Sequence, residues 1–393
     1  MADNQSQQIK TIIIITLALT EDNGLGAYSL SLVRELSRTY RVIVFMGGRL
    51  PADLPEGVEV HNILPAVEKF LRLRNIFRAF YYSCRIAGLI RKRDVLIVQA
   101  FMDYPHSAVA YFVARLIRRP LMLSAVGTYS LLPFSWLPDK WLHGYVLKHA
   151  AKVICISRYT ERRLLEKIDL KNTVVINPGV DFEKYSIARD APKGLDPDSK
   201  IIVSVGALKS RKGFHVALPA VALAMKRQNI KYYLIGDCSN AKYSDKLKGM
   251  VADLGLGSKV ELLGNLPEEE LIAYLQAADL FLLTPINIGS NFEGFGLVYL
   301  EAGACGKPVI GSRDCGVEDA VVDGETGMLV PQDDVTATSD AISKILENHE
   351  LSAKLGEQGR QRARLMSWTN QARLYSDIYE KNNYGNPGVS QKN

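Results

Sequence analysis

The feature that most limits what this chain can fold into is a rhythm. Short apolar, β-branched runs alternate with longer stretches of helical period. "TIIIITLAL" (11–19) leads through "AYSLSLVRELSRTY" (27–40) to "RVIVFMGG" (41–48), and "DVLIVQAF", "PLMLSAVG", "KVICIS" and "TVVINPGV" follow. Runs that are apolar almost throughout are strands covered on both faces. Their alternation with helices calls for parallel sheets joined by crossover helices.

The rhythm stops at "SIARDAPKGLDPDSK" (186–200), which is polar, contains Pro and Gly and has no period. Such a segment reads as a linker. A second series then begins with "KIIVSVGAL", "KYYLIGD", "VELLGNL", "LFLLTP", "PVIGS" and "GMLVP". The expected fold is α/β, with two Rossmann-like parallel-sheet domains facing across a cleft. The expected divisions are an N-terminal domain over 1–184, a linker over 185–199 and a C-terminal domain over 200–365. A helix over 366–382 and a disordered tail over 383–393 complete the chain.

With 393 residues, 47% of them hydrophobic, the chain can build two cores without a metal or disulfide staple. The five cysteines are odd in number and scattered, with no CxxC pair and no His/Cys cluster. That spacing excludes a zinc framework and suits a reducing, cytoplasmic setting. The N-terminal run "TIIIITLAL" lacks a basic leader and is followed by "TEDNG", so a buried first strand fits better than a signal peptide. No stretch is apolar for the ~20 residues that a spanning helix needs.

Charge is uneven. Residues 1–184 hold 25 Lys and Arg against 16 Asp and Glu, about +9, and the remainder is about −3. A basic first half suits an anionic acceptor or membrane surface. Nucleic acid is not expected as a partner, because no recognisable module or patterned set of stacking aromatics accompanies the charge.

In parallel α/β sheets ligands bind beyond the carboxyl ends of the strands. Four strand ends therefore matter. In "TEDNGLGAYS", Gly24 and Gly26 lie between a strand and a helix, where amides can meet an anion or simply make a tight turn. In "VGALKSRKGFH", Lys209, Arg211 and Lys212 crowd a helix start. Cations there oppose the helix dipole, so a diphosphate is a better explanation than a solvated loop. In "NFEGFGLVYLEAGACGKPVIG" (291–311), Glu293 precedes a glycine loop and Glu301 follows "LVYL" on the next helix. A carboxylate at a helix start is unremarkable, whereas one after an apolar run needs partners, which sugar hydroxyls would supply. In "RDCGVEDAVVDGETGMLVP", Glu318 reads as a helix-start residue and "DGETG" as a tight turn.

Together "NGLGAYSLSLVREL", "KVICISRYTERRLL", "VVINPGVD", "VGALKSRKGF", "LGNLPEEELIAYLQAADLFLLTP", "EGFGLVYLEAGACGKPVI" and "DGETGMLV" resemble the retaining nucleotide-sugar glycosyltransferases of family four, with the GT-B fold. The resemblance implies that Glu301 holds the ribose hydroxyls and that Glu293 sits beside the donor sugar and its phosphate. It implies that amides of Gly294, Phe295, Gly296, Leu297 and Val298 face the sugar and diphosphate, and that Lys212 neutralises the latter. The base would rest near Gly264, Asn265 and Leu266. Gly24 and Gly26 would close on the diphosphate from the other domain, and the helix near Trp368–Tyr379 would cross back to it.

Three departures stand out. Ala207 occupies a position that is usually arginine, leaving Lys209 or Arg211 to stand in. Val126 occupies one that is often a donor-site histidine. "PGVD" replaces the family's "NGVD".

The implied activity is retaining transfer of a hexose from a nucleoside-diphosphate sugar to a hydroxyl of a glycan, lipid-linked or small-molecule acceptor. Lys212, Lys209 and Arg211 would stabilise the leaving diphosphate, so no metal or other cofactor is required. A sugar-nucleotide 2-epimerase of the same fold and a non-catalytic sugar-nucleotide binder are the alternatives. Asp103, His106 and Val126 are candidate acceptor-side residues. "KFLRLRNIFRAFYYSCRIAGLIRKRD" (69–94) interleaves basic with aromatic and aliphatic residues. It suits either a helix lying on the inner face of a membrane or a core helix with a solvated basic face.

Overall fold

A computed structural model describes residues 9–21, 23–48, 53–65, 74–101, 104–137 and 139–382. By its internal contacts the chain divides into one unit comprising Met1–Ile176 and Trp368–Asn393, and a second comprising Asn177–Ser367.

The first unit is built on strands β1 (Thr11–Ile15), β2 (Arg41–Met46), β3 (Val58–Asn62), β4 (Val95–Ala100), β5 (Leu121–Ala125), β6 (Lys152–Cys155) and β7 (Thr173–Val175). They form a parallel sheet in the order β3-β2-β1-β4-β5-β6-β7. Ile12 to Ile15 are fully buried, as a strand with both faces covered requires. The sequence reading overlooked β3. Its residues, VEVHN, are half-buried or exposed at the sheet edge, so the unbroken apolar run that marks an inner strand is missing.

Helix Trp368–Lys381 belongs to this unit and packs on helix Gly24–Leu36. Buried hydroxyls fasten it there. Tyr28 Oη lies 2.5 Å from Tyr375 Oη and donates to Ser124 Oγ, while Tyr379 Oη donates to Gln99 Oε1. A polar network of this kind fixes one docking geometry because each member would be costly to leave unpaired.

The second unit holds β8 (Lys200–Val205), β9 (Ile230–Ile235), β10 (Val260–Gly264), β11 (Leu280–Leu282), β12 (Val309–Ser312) and β13 (Met328–Val330), in the parallel order β10-β9-β8-β11-β12-β13. Each sheet reverses its direction of winding once, between β1 and β4 and between β8 and β11. Such reversals open a crevice at the strand carboxyl ends, the usual ligand position in this fold class.

The contacts place the division after Ile176, earlier than the boundary at 184 that composition suggested. Helix Phe182–Ser186 packs on helix Leu297–Ala304 of the second unit. The polar segment after it is also tied down. Gln276 Nε2 donates to the carbonyls of Tyr185 and Ile187, and Arg189 pairs with Glu269. Residues 383–393, expected as a tail, lie outside the described residues.

Candidate active site

The switch point of the second sheet gathers the residues that the sequence singled out. After β8 the chain makes a 3-10 turn, Ser210–Lys212, and enters helix Phe214–Ala224 through Gly213. Gly213 sits at φ 73°, and a Cβ there would come within 1.7 Å of the Thr284 carbonyl oxygen. Only glycine lets the cationic turn press against the chain leaving β11. The Ile286 amide donates to the Arg211 carbonyl at 2.9 Å and completes this junction.

The loop after β11 brings Glu293 to the same place. Lys212 Nζ is 2.6 Å and Arg211 Nη1 2.9 Å from one oxygen, Glu293 Oε2. Glu293 is buried, and its carbonyl accepts from the Gly316 amide at 2.8 Å. Burial alone would raise the carboxyl pKa, but Lys212 and Arg211 prevail and hold it below the usual carboxylate range. Glu293 is therefore ionised at neutral pH. The sequence reading assigned the cations to a diphosphate and did not foresee that Glu293 bridges them.

Beyond Glu293 the chain turns through Gly296 at φ 86°, where a Cβ would strike the Tyr299 ring. Helix Leu297–Ala304 then starts. Leu297 and Val298 occupy its first two positions and are half-buried. Amides there have no carbonyl of their own helix to meet and point along the positive end of its dipole. Gly294 is half-buried, whereas the Phe295 side chain is 2% exposed and packs inward. Any ligand contact from Phe295 is thus through its backbone.

Glu301 follows on the same helix and is half-buried. Burial of its carboxyl raises the pKa to about 7, opposed by a hydrogen bond from Tyr185 and by the Lys184 charge. Tyr185, 8% exposed, is a site residue that sequence reasoning missed. It lies in the "FEKY" segment beside the apparent linker, and nothing local marks a tyrosine there as the partner of a distant glutamate.

The remaining candidates fall as follows. Lys209 is exposed, and Ala207 is half-buried at the end of β8. Gly264, at φ 69°, closes β10, with Asn265 exposed and Leu266 half-buried beyond it.

In the first unit Gly24 begins helix Gly24–Leu36 with open space around it. The Gly26 amide is engaged by Asn23 Oδ1 at 2.9 Å and is not available to an anion. Val126 is half-buried ahead of Gly127. His106 is fully buried at the head of helix His106–Ile117, and burial lowers its pKa to about 4. The ring is neutral and inside the protein, so it offers no surface to an acceptor. Asp103 lies outside the described residues. Among the described residues no group of three or more His, Cys, Asp or Glu could hold a metal ion, and no helix is long and apolar enough to cross a membrane.

Two parallel-sheet units, one with amides, cations and two glutamates at its switch point, define a GT-B transferase frame. The family described as "Glycosyl transferases group 1" matches residues 187–362, and "Glycosyltransferase Family 4" matches residues 22–184. The chain belongs to these group 1 glycosyltransferases and is an enzyme of that class.

An uncharacterised glycosyltransferase from Methanocaldococcus jannaschii is 28% identical over 327 residues, 83% of this chain and 86% of that protein. The D-inositol 3-phosphate glycosyltransferase of Corynebacterium glutamicum is 33% identical over 216 residues, 52% of this chain and 50% of that protein, so the chain spans about half its length. A solved glycosyltransferase from Rickettsia africae superposes with a TM-score of 0.80 at 20% identity, covering 96% of this chain and 100% of that one. Anabaena HepE, solved with UDP and glucose, gives 0.74 at 17% identity, covering 95% and 100%. At these identities the superpositions speak for the fold.

Proposed function

We propose that the protein transfers a hexose from a nucleoside-diphosphate sugar to an acceptor hydroxyl with retention of anomeric configuration. The observation that carries this reading is the convergence of Lys212 and Arg211 on Glu293, in the loop that runs directly into the free amides opening helix Leu297–Ala304. Fixed positive charge and amide donors at one point are suited to a departing diphosphate. Electrostatic preorganisation of that kind is the main catalytic tool where negative charge develops on a leaving group.

Lys212 has three N–H donors and Arg211 five, so Glu293 can position both without exhausting either. In the proposed reaction the bond from the anomeric carbon to the diphosphate oxygen breaks while the acceptor oxygen bonds to that carbon from the same face. The acceptor proton passes to the departing phosphate. Glu293 lies beside the sugar, and Glu301 accepts from the ribose hydroxyls. The chain's own cations carry the charge that a metal carries in other transferases. The solved HepE complex contains UDP and glucose, which supports a nucleoside-diphosphate donor for this fold.

The test is proton NMR of the first product formed from an α-linked donor. An α-linked product supports the reading. A β-linked product contradicts retention. An isomerised sugar nucleotide formed without acceptor identifies an epimerase instead.

A further inference from the structure

The helix Arg74–Ile90 buries one face, through Ala79, Ser83, Ile86 and Ile90. A helix at the edge of a soluble domain would normally turn charge outward. Here the outward stripe is Phe77, Phe80, Tyr81, Cys84, Gly88 and Leu89, with Arg85 as the one exposed charge among the helix's described side chains. These positions repeat at helical spacing, so they form one continuous face. Phe77 is 80% exposed, and Phe80, Tyr81 and Leu89 are each about half exposed. The helix thus packs one face on the core, as both sequence alternatives allow, and its described outer face is largely aromatic and aliphatic.

The face continues onto two neighbouring helices. Phe80 meets Phe112 of helix His106–Ile117 edge-on at 5.8 Å, and Tyr111 of that helix meets Tyr145 of helix Asp139–His149 at 5.7 Å. Trp141, one turn before Tyr145, is 74% exposed, and Leu137 just ahead of that helix is 71% exposed. Tyr111 is itself buried and Phe112 half-buried, so these rings tie the three helices together from beneath, while Phe77, Phe80, Tyr81, Trp141 and Tyr145 stay exposed above them.

The charge on these helices has one sign. They carry Arg78, Arg85, Arg115, Lys140 and Lys148, besides Arg74. Their single acid, Asp139, is buried and accepts from the Tyr104 hydroxyl at 2.6 Å. Arg85 lies over the Tyr81 ring at 5.9 Å, which sets a cation at the margin of the aromatic stripe. Aromatic rings flanked by cations, without exposed acids, complement the headgroup layer of an anionic bilayer. A second protein copy would bring the same cations face to face.

We infer that this three-helix surface is a docking face for an anionic lipid bilayer. It holds the enzyme to the membrane peripherally, with the rings at acyl-chain depth and the Arg and Lys groups among the headgroups. The inference stands apart from the proposed transfer chemistry, whose residues lie in the second unit.

Co-sedimentation of the full chain with vesicles tests it. Phosphatidylglycerol/phosphatidylcholine vesicles are compared with pure phosphatidylcholine at low salt. Two double variants, F77S/W141S and R78E/R85E, accompany the wild type. Circular dichroism and nucleoside-diphosphate affinity show whether each variant is folded.

The wild type is expected to sediment with the anionic vesicles only and to be released as salt rises. Each folded variant is expected to bind at least about tenfold more weakly, R78E/R85E because each basic residue near such a surface contributes about 1 kcal/mol and F77S/W141S because it loses the apolar area of two rings. Wild-type protein left in the supernatant with anionic vesicles overturns the inference, as do folded variants that bind like the wild type. A dimer seen by sedimentation velocity, abolished by the variants and unaccompanied by vesicle binding, also overturns it and assigns the surface to a second copy.

Discussion

Lys212 Nζ and Glu293 Oε2 lie 2.6 Å apart, and Arg211 shares the same carboxylate oxygen. The pair joins the chain leaving β8 to the loop leaving β11, across the switch point of the second sheet. Glu293 is an anion set among groups suited to a phosphate. The substitution Glu293→Gln is predicted to leave Lys212 and the one-third-exposed Arg211 uncompensated and to destabilise the protein by about 2 kcal/mol. A nucleoside diphosphate supplies the missing charge. Its thermal upshift, measured at equal ligand concentration, is therefore expected to be larger in the variant than in the wild type. Equal upshifts would count against the proposed phosphate seat.

Gly213→Ala is predicted to cost more than about 2 kcal/mol in urea denaturation. It would place a methyl carbon on the Thr284 carbonyl oxygen at a left-handed backbone position. Gly24→Ala, at a site with nothing within 4 Å, is the control and is expected to cost less than about 1 kcal/mol.

Glu301 makes stability depend on pH. Burial raises its folded-state pKa to about 7 from an ordinary value of 4.5. Between those values the folded protein binds a proton that the unfolded chain has released. Stability is thus full below about pH 4.5 and falls as pH rises through 7, by about 3 kcal/mol from this group. Glu301→Gln, which cannot ionise, is predicted to flatten that part of the curve. An unchanged slope between pH 5 and 7.5 in the variant would refute the assignment.

Tyr185→Phe removes the hydrogen bond that favours ionised Glu301. Nucleotide affinity that depends on the Glu301 carboxylate is then expected to rise with pH along a curve displaced upward relative to wild type. Calorimetric titrations across pH 6 to 9 would show it. A uniform loss of affinity with no displacement would mean that Tyr185 is only a packing residue.

The parts of this molecule that local pattern determines were legible. Ile12 to Ile15 declare a covered strand, and the six strands of the second unit each carry an apolar run that survives inspection alone. β3 escaped because an edge strand need not be apolar. The site was legible as segments but not as contacts. Arg211 and Glu293 are 82 residues apart, and only the β8/β11 crossover brings them together. Glu301 was visible on the helix after its glycine loop, while Tyr185 was hidden because its role depends on how helix Phe182–Ser186 docks. Periodicity also showed that helix Arg74–Ile90 has two faces without showing which turns outward. That choice rests on the helix packed beside it. The burial of His106 was hidden for a related reason, since strand-end position does not report burial.

The central claim is that the β8/β11 switch point seats the nucleoside diphosphate of the donor. Isothermal titration of UDP and GDP into wild type, Lys212→Ala and Glu301→Ala tests it most directly, with product release measured on the same samples. At least one nucleotide is predicted to bind the wild type. Each variant, still folded, is predicted to lose at least about tenfold in affinity for it, the scale of one charge-assisted hydrogen bond, and to lose transfer. Folded variants that keep wild-type affinity and turnover would contradict the account.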